Sequence, residues 1–143
     1  MSVTIELDWS ELETALKGLE RRAGVQAQRR AMRSAAQIIR TEARHLVPVR
    51  TGSLRDSIKV RTSTRRGWVN AWVVAGKPHA HLVEFGTHPH TEKISRGRFK
   101  FKRRIRHPGA KPHPFLRPAF DRKADDAIRK VASMLKDSIE RSQ

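Results

Sequence analysis

The segment HAHLVEFGTHPH, residues 79–90, places four histidines and one glutamate within twelve positions. Neutral imidazole is the commonest metal ligand in proteins, so this segment is the best candidate for metal-dependent chemistry. On a strand, however, His79 and His81 would point to one face and Glu84 to the other. Because that arrangement separates the glutamate from the histidines, we interpret them as strand and loop residues and predict no metal site.

Other catalytic signatures are weak. The sequence has no G-x-G-x-x-G loop, TGSLR does not match the G-x-S-x-G nucleophile elbow, and AGKPH lacks the glycine and hydroxyl residue of a phosphate-binding loop. Between residues 48 and 113 the carboxylates are Asp56, Glu84 and Glu92, too sparse for an acid–base pair. With no cysteine, a disulfide or thiolate site is excluded. We therefore predict neither an enzyme nor a cofactor.

Charge is the strongest compositional signal. The chain has 31 Lys and Arg against 14 Asp and Glu, a formal net charge of +17, and residues 88–113 alone hold nine basic and one acidic residue. Such a field favours a polyanionic partner, whether nucleic acid, an acidic protein surface or an anionic membrane face. No apolar run is long enough to cross a membrane, and the first residues lack an export signal. We expect an intracellular protein.

The basic segment RGRFKFKRRIRHPG alternates in a way that suits a strand. Phenylalanine and isoleucine would occupy one face, and the other would be a continuous cationic edge with side chains about 6.6 Å apart. The edge consists of Arg98, Lys100, Lys102, Arg104 and Arg106. It could follow a phosphate backbone without reading bases, or contact an acidic protein. The alternative is that these charges only solvate an exposed hairpin.

Helical periodicity dominates both ends of the chain. VTIEL predicts a short first strand, residues 12–19 a helix, and Gly24 a break before a longer helix that ends at Pro48. Pro118 suits the first turn of a last helix. The predicted buried stripe of the long helix is Val25, Met32, Ala35, Ala36, Ile39, Ala43 and Leu46. That of the last helix is Phe120, Ala124, Ile128, Val131, Leu135 and Ile139.

The middle of the chain alternates with a period of two. SIKVRT and WVNAWVVAG predict a hairpin through TRRG, and AHLVEFG predicts a third strand. Ser53 and Asp56 have the spacing of a capping box for one helical turn. The fold class is therefore α+β, with an antiparallel sheet of about 3–5 strands, a long N-terminal helical segment, a C-terminal helix and an extended basic hairpin. We predict one domain, 1–143, in which residues 88–113 form the basic insertion.

Three phrases in fixed order, VPVRTGSLRDSI, HLVEFGTHPH and HPGAKPHPFLRPAF, resemble the HK97 gp10-like family of tailed-bacteriophage tail-component or tail-completion proteins. The resemblance implies fold-defining positions that form the turn after the long helix, close the third strand and start the last helix. These positions are Pro48, Arg50, Thr51, Gly52, Leu54, Glu84, Phe85, Gly86, Thr87, Pro114, Phe115, Leu116, Pro118 and Ala119.

The resemblance also implies a virion structural protein of the neck, made in the host cytoplasm. Such a subunit would join head and tail as a homo-oligomeric ring between the head connector and the tail. Its partners would be further copies of itself, the connector or stopper and the tail terminator, with genomic DNA passing through the channel. The alternative function is a sequence-independent nucleic-acid-binding protein that uses the basic ribbon at residues 96–106.

Reversing the charge of the ribbon tests its role. Changing Lys100, Lys102 and Arg104 to Glu should reduce the yield of infectious particles, because the ribbon would repel DNA or an acidic neighbour. The isolated variant should keep its unfolding temperature, since exposed charges contribute little to stability. A normal titre from this variant would contradict the assignment.

Overall fold

The computed structural model describes residues 2–4, 21–94 and 103–141. Its elements in chain order are β1 (Ser2–Thr4), α1 (Arg21–Leu46), α2 (Ser53–Asp56), β2 (Ile58–Arg65), β3 (Trp68–Ala75), α3 (Ala80–Phe85), β4 (His90–Ile94), β5 (Arg103–His107) and α4 (Leu116–Glu140). The α+β class is thus confirmed. The predicted helix at residues 12–19, and Arg98, Lys100 and Lys102 of the ribbon, lie outside the described residues.

The strands are divided between two small antiparallel sheets, not gathered in one. In the first, β3 lies between β1 and β2, and in the second β4 pairs with β5. The predicted hairpin is confirmed, since β2 and β3 pair from Ile58↔Ala75 to Arg65↔Trp68. Arg66 and Gly67 form its turn with φ values of 54° and 88°. A turn with positive φ at both central residues has a backbone twist that matches the right-handed twist of the paired strands.

Helix α1 passes through Gly24 without a break, so the predicted boundary there is wrong. A glycine inside a helix costs about 1 kcal/mol relative to alanine, which packing along a 26-residue helix readily offsets. Gly24 is itself buried. The predicted end is correct, because α1 finishes at Leu46, two residues before Pro48.

The core lies where α1 packs against α4 and against one face of the β1–β3–β2 sheet, here called the inner face. Helix α1 contributes mainly small side chains to it, which let the sheet and α4 approach the helix backbone closely. The buried residues of α1 are Ala27, Ala31, Met32, Ala35, Ala36, Ile39 and Ala43. Those of the inner face are Ile58, Val69, Ala71, Val73 and Ala75.

Helix α4 starts as predicted but is rotated relative to the predicted stripe. Pro118 is its third residue, where a missing N–H leaves no bond unmade. The buried residues are Leu116, Ala119, Ala127, Val131 and Leu135. Ile128, placed in the core from its spacing, is instead 45% exposed, so that prediction is wrong. Ala127 takes the core position, and Ile128 follows it by one residue, about 100° around the helix.

The segment predicted as a third strand is the short helix α3, so that prediction is wrong. Alternation placed Glu84 on the strand face opposite His79 and His81, although a carboxylate is rarely buried. In the structure Ala80 and Glu84 are buried at 1% and 3% exposure, and their i, i+4 spacing puts them on one helical face. Because the polar side chain of Glu84 occupies a core position, the hydrophobic pattern of this segment does not show the period of a helix.

Candidate functional site

The carboxylate of Glu84 binds the start of α4. It accepts backbone hydrogen bonds from Phe115 (2.8 Å) and Leu116 (3.0 Å) on Oε2, and from Arg117 (3.0 Å) on Oε1. The first N–H groups of a helix have no partner within the helix, and the helix dipole favours a negative charge at this end. Glu84 therefore caps α4 from 31 residues away, and its own buried charge is fully hydrogen-bonded.

Two further connections fix the segment before α4 to α3 and its exit. The N–H of His113 donates to the carbonyl of Val83 at 2.7 Å, and Thr87 and Ala110 exchange two backbone hydrogen bonds at 2.9 and 3.1 Å. The second pair lies at the base of the β4–β5 hairpin. Two of the family phrases, HLVEFGTHPH and HPGAKPHPFLRPAF, are thereby joined through main-chain contacts.

Gly86 makes this approach possible. Its backbone has φ 72° and ψ −173°, a region that residues with a Cβ essentially never occupy. A Cβ on Gly86 would lie 2.6 Å from the carbonyl oxygen of Ala110 and 2.8 Å from the nitrogen of Pro112. Only glycine fits between α3 and the strand-like segment beside it.

The turn that follows α1 is held by arginines of α1. Arg44 donates to the carbonyl of Arg55 and to Oδ1 of Asp56, both at 3.0 Å, while Arg40 donates to the carbonyl of Ile58 at 2.9 Å. Sequence reasoning missed both contacts, since these arginines look like solvent-facing residues of a basic helix. The predicted capping box is wrong, because α2 is capped by Gly52 without a side-chain bond.

An apolar groove lies between this turn and α3. Its volume is about 540 Å³, and it is lined by residues 48–54 together with His79 and Val83. Large apolar side chains on the same two segments are exposed: Val49 by 56%, Leu82 by 41% and Phe85 by 68%. Val49 lines the groove, whereas Leu82 and Phe85 lie on α3 outside its lining. Exposed apolar surface of this kind marks contact sites in proteins. We take the groove and these residues as the candidate assembly surface.

The predicted family positions divide into three groups, which are buried, half-buried and exposed. Leu54, Glu84, Phe115, Leu116 and Ala119 are buried. Gly52, Gly86, Thr87 and Pro118 are half-buried, whereas Pro48, Arg50, Thr51, Phe85 and Pro114 are exposed. The buried group contributes to the core and to the cap on α4. The exposed side chains contribute little packing. A contribution to stability therefore does not by itself explain why these residues belong to the family pattern.

The histidines do not converge on one point. His79 and His81 are exposed at the start of α3, while His90 lies on β4, where its ring stacks on that of His107 with centroids 5.4 Å apart. Within the described parts of the chain, no group of three or more His, Cys, Asp or Glu residues is placed to hold a metal ion. Glu84, the buried carboxylate of this segment, is occupied by the helix cap.

The described part of the basic ribbon is β5. Arg106 is exposed there, and its strand neighbour Ile105 is 39% exposed. Arg104 lies on the same strand and pairs with Lys93 of β4. Among the helices described, none is long and apolar enough to span a membrane.

Comparison with protein families gave a match over residues 10–86 to the family described as "Bacteriophage HK97-gp10, putative tail-component". The matched range includes α1, the turn, the β2–β3 hairpin and α3, and it ends at Gly86. It therefore covers the groove and Glu84, but not the basic hairpin or α4. No curated protein and no solved structure matched the chain.

Replacing Glu84 with Gln should lower the free energy of unfolding by about 2 to 3 kcal/mol, since bonds to a charged acceptor are lost or weakened. The amide keeps the size of the side chain but turns a donor toward the donors of α4. Urea unfolding measures the change. Asp137→Asn, an exposed carboxylate on α4, is the control and should leave stability within about 0.5 kcal/mol. Equal stabilities of the two variants would contradict the capping role.

Replacing Gly86 with Ala should destabilise the protein much more than Gly67→Ala. Both glycines have positive φ, but a Cβ at Gly67 meets nothing within 4 Å, whereas at Gly86 it meets backbone atoms. We expect a cost of about 1 kcal/mol at Gly67 from the conformation alone, and about 3 kcal/mol or more at Gly86 from conformation and clash together. Thermal unfolding of the matched pair separates the two effects, and similar losses would show that the close approach is unimportant.

Proposed function

The chain belongs to the HK97 gp10-like family of bacteriophage tail components, and from this premise we propose that it is a structural subunit of the neck that joins head and tail. The observation that carries the proposal is the family match, which covers more than half of the chain. A tail component resides in the virion. The finer position, between the head connector and the tail, is the proposed part.

The division of the family positions supports a structural role. The buried positions stabilise the fold through the core and the Glu84 cap, and three of the exposed ones, Pro48, Arg50 and Thr51, line the apolar groove. A protein that works by binding its neighbours needs both, a rigid body and a surface that loses water on contact. We propose that the groove, with Val49, Leu82 and Phe85, contacts a neighbouring protein of the neck.

We further propose that the subunits assemble as a closed ring around the path of the genome. Bringing together chains that each carry +17 is electrostatically unfavourable unless polyanions or acidic neighbours compensate the charge. DNA in a central channel would supply such compensation. The connector or stopper and the tail terminator are the proposed protein partners on the two sides of the ring.

A second candidate is sequence-independent binding of nucleic acid through the β4–β5 hairpin. The observation that favours it is exposure: the hairpin forms a sheet of its own, Arg106 and His107 on it are exposed, and so is Lys111 just beyond its base. Binding of duplex DNA by such a surface would weaken steeply with salt. In the neck this activity and the structural role are compatible, because the hairpin could contact DNA within the channel.

Phe85→Ser tests the proposed contact surface. The side chain is 68% exposed, so the substitution should change stability by no more than about 0.5 kcal/mol. In phage whose own copy of the gene is disrupted, this variant should restore fewer joined particles than the wild-type gene, with free heads and free tails seen by electron microscopy. His81→Ser, an exposed polar position on the same helix, is the control and should restore joining fully.

Two outcomes would contradict the proposal. If disruption of the gene leaves heads joined to tails, the chain does not act in the neck. If joining fails without the gene but Phe85→Ser restores it as well as the wild-type gene does, the neck role stands and Phe85 is not part of the contact surface.

A further inference from the structure

The face of the β1–β3–β2 sheet that points away from α1, here called the outer face, combines tryptophan with cationic side chains. Cross-strand neighbours on it are Lys59 and Val74, Arg61 and Trp72, and Arg65 and Trp68. Trp68 is 57% exposed, the three basic residues are exposed, and Trp72 and Val74 are half-buried. Tryptophan and arginine are the residue types most often found at the energetic centre of protein interfaces.

One end of the outer face is concave. A groove of about 610 Å³ is lined by residues that include Lys59, Arg61, Val74 and Lys77. Its one carboxylate, Asp56, already accepts a hydrogen bond from Arg44 at 3.0 Å. The groove therefore keeps a positive charge that nothing in the described chain neutralises, and it suits a convex partner that carries carboxylates.

Helix α4 presents such a surface. Asp121, Asp125 and Ile128 follow at i, i+4 and i+7, on one side of the helix, and all three are exposed. Among the described residues, neither aspartate has a salt-bridge or hydrogen-bond partner. Asp126 is different: hydrogen bonds from Arg129 and Lys123 lower the pKa of its carboxyl group and compensate its charge. The α4 stripe, Asp121, Asp125 and Ile128, is thus both acidic and apolar.

The two surfaces match in spacing as well as in charge. Asp121 and Asp125 are separated by about 6 Å along the helix axis, and Lys59 and Arg61 by about 6.6 Å along the strand. With each aspartate opposite one basic side chain, Ile128 lies about 4.5 Å beyond Asp125 along the helix axis. It is then within reach of the indole of Trp72. Burying Ile128 against tryptophan would remove two exposed apolar groups from water at once.

These two surfaces do not meet within one chain. Helix α4 packs on α1 and touches the sheet at β1, whereas the outer face points away from α1, and the basic side chains of the outer face and the α4 stripe are all exposed. A contact between them must join two molecules. When the two surfaces of one chain bind two different neighbours, the contact is heterologous and repeats from subunit to subunit, as a ring requires.

We propose that, in the assembled neck, the outer face of one subunit binds the α4 stripe of the next copy of the same chain. The inference rests on the proposed ring and names the contact that would close it. Lys59 pairs with Asp121 and Arg61 with Asp125 across the interface, and Trp72, the cross-strand neighbour of Arg61, covers Ile128. Single-stranded nucleic acid could stack on the same tryptophans, but it would leave the acidic stripe of α4 without a role.

The absence of cysteine from the sequence allows a direct test. Arg61→Cys and Asp125→Cys are introduced together into one chain, the phage is grown with this gene, and joined particles are treated with a short bismaleimide. We expect a ladder of covalent multimers of the 16.4 kDa chain, from dimer to trimer and beyond, on a denaturing gel. Each single-cysteine variant has one reactive site per chain and should stop at dimer.

Each outcome separates the inference from the function on which it rests. A dimer without higher multimers, or no multimer, from particles that contain the protein would overturn the inference and leave the neck role intact. Absence of the wild-type chain from joined particles would overturn the neck role itself, and with it the ring.

A fluorescence measurement in solution tests the alternative that single-stranded nucleic acid binds the outer face. Single-stranded oligonucleotide is added to the wild type and to a variant with Lys59→Glu and Arg61→Glu. If it quenches the tryptophan fluorescence of the wild type but not of the variant, and the two-cysteine chain forms no cross-linked ladder, the outer face is a nucleic-acid surface. In the two-cysteine chain, adding Asp121→Asn should by contrast reduce the ladder, because it removes the partner of Lys59, and should leave thermal unfolding unchanged. A full ladder from that variant would contradict the pairing of charges.

Discussion

The rest of the structure depends on the hydrogen bonds between the carboxylate of Glu84 and the first N–H groups of α4. Helix α4 forms one wall of the core against α1, and its position along α1 is fixed where it begins. A buried charge without partners would be strongly destabilising, whereas a carboxylate with three donors at a helix N-terminus is well satisfied. The same group therefore rules out many alternative packings of α4.

How far the fold could be predicted from the sequence depended on whether the signal was local. The β2–β3 hairpin and the end of α1 were predictable, because alternation and Pro48 act over a few residues. Helix α3 was not, since its one buried polar residue finds its partners 31 residues later, and a hydrophobic pattern assigns such a residue to solvent. Ile128 failed for a related reason: the edge of a buried stripe is set by the neighbouring helix.

The candidate surfaces were predictable only in part. The basic composition indicated a polyanionic partner, and the family phrases marked the segments that line the apolar groove. The exposure of Phe85 and Val49 could not be inferred, because large apolar residues are most often buried. The outer face could not be predicted either, since only the strand register places Trp72 beside Arg61. Pairing across strands combines residues that are far apart in sequence.

The short pairing of Thr87 with Ala110 has a mechanical consequence. It joins the base of the β4–β5 hairpin to the exit of α3, and three residues earlier Glu84 holds the start of α4. The hairpin therefore cannot pivot at its base without stretching these bonds. Gly86 beside them is enclosed by backbone atoms, so there is no free space into which the chain could move. A pull on the hairpin is transmitted to the two longest helices, so the arm behaves as a lever rigidly mounted on the core.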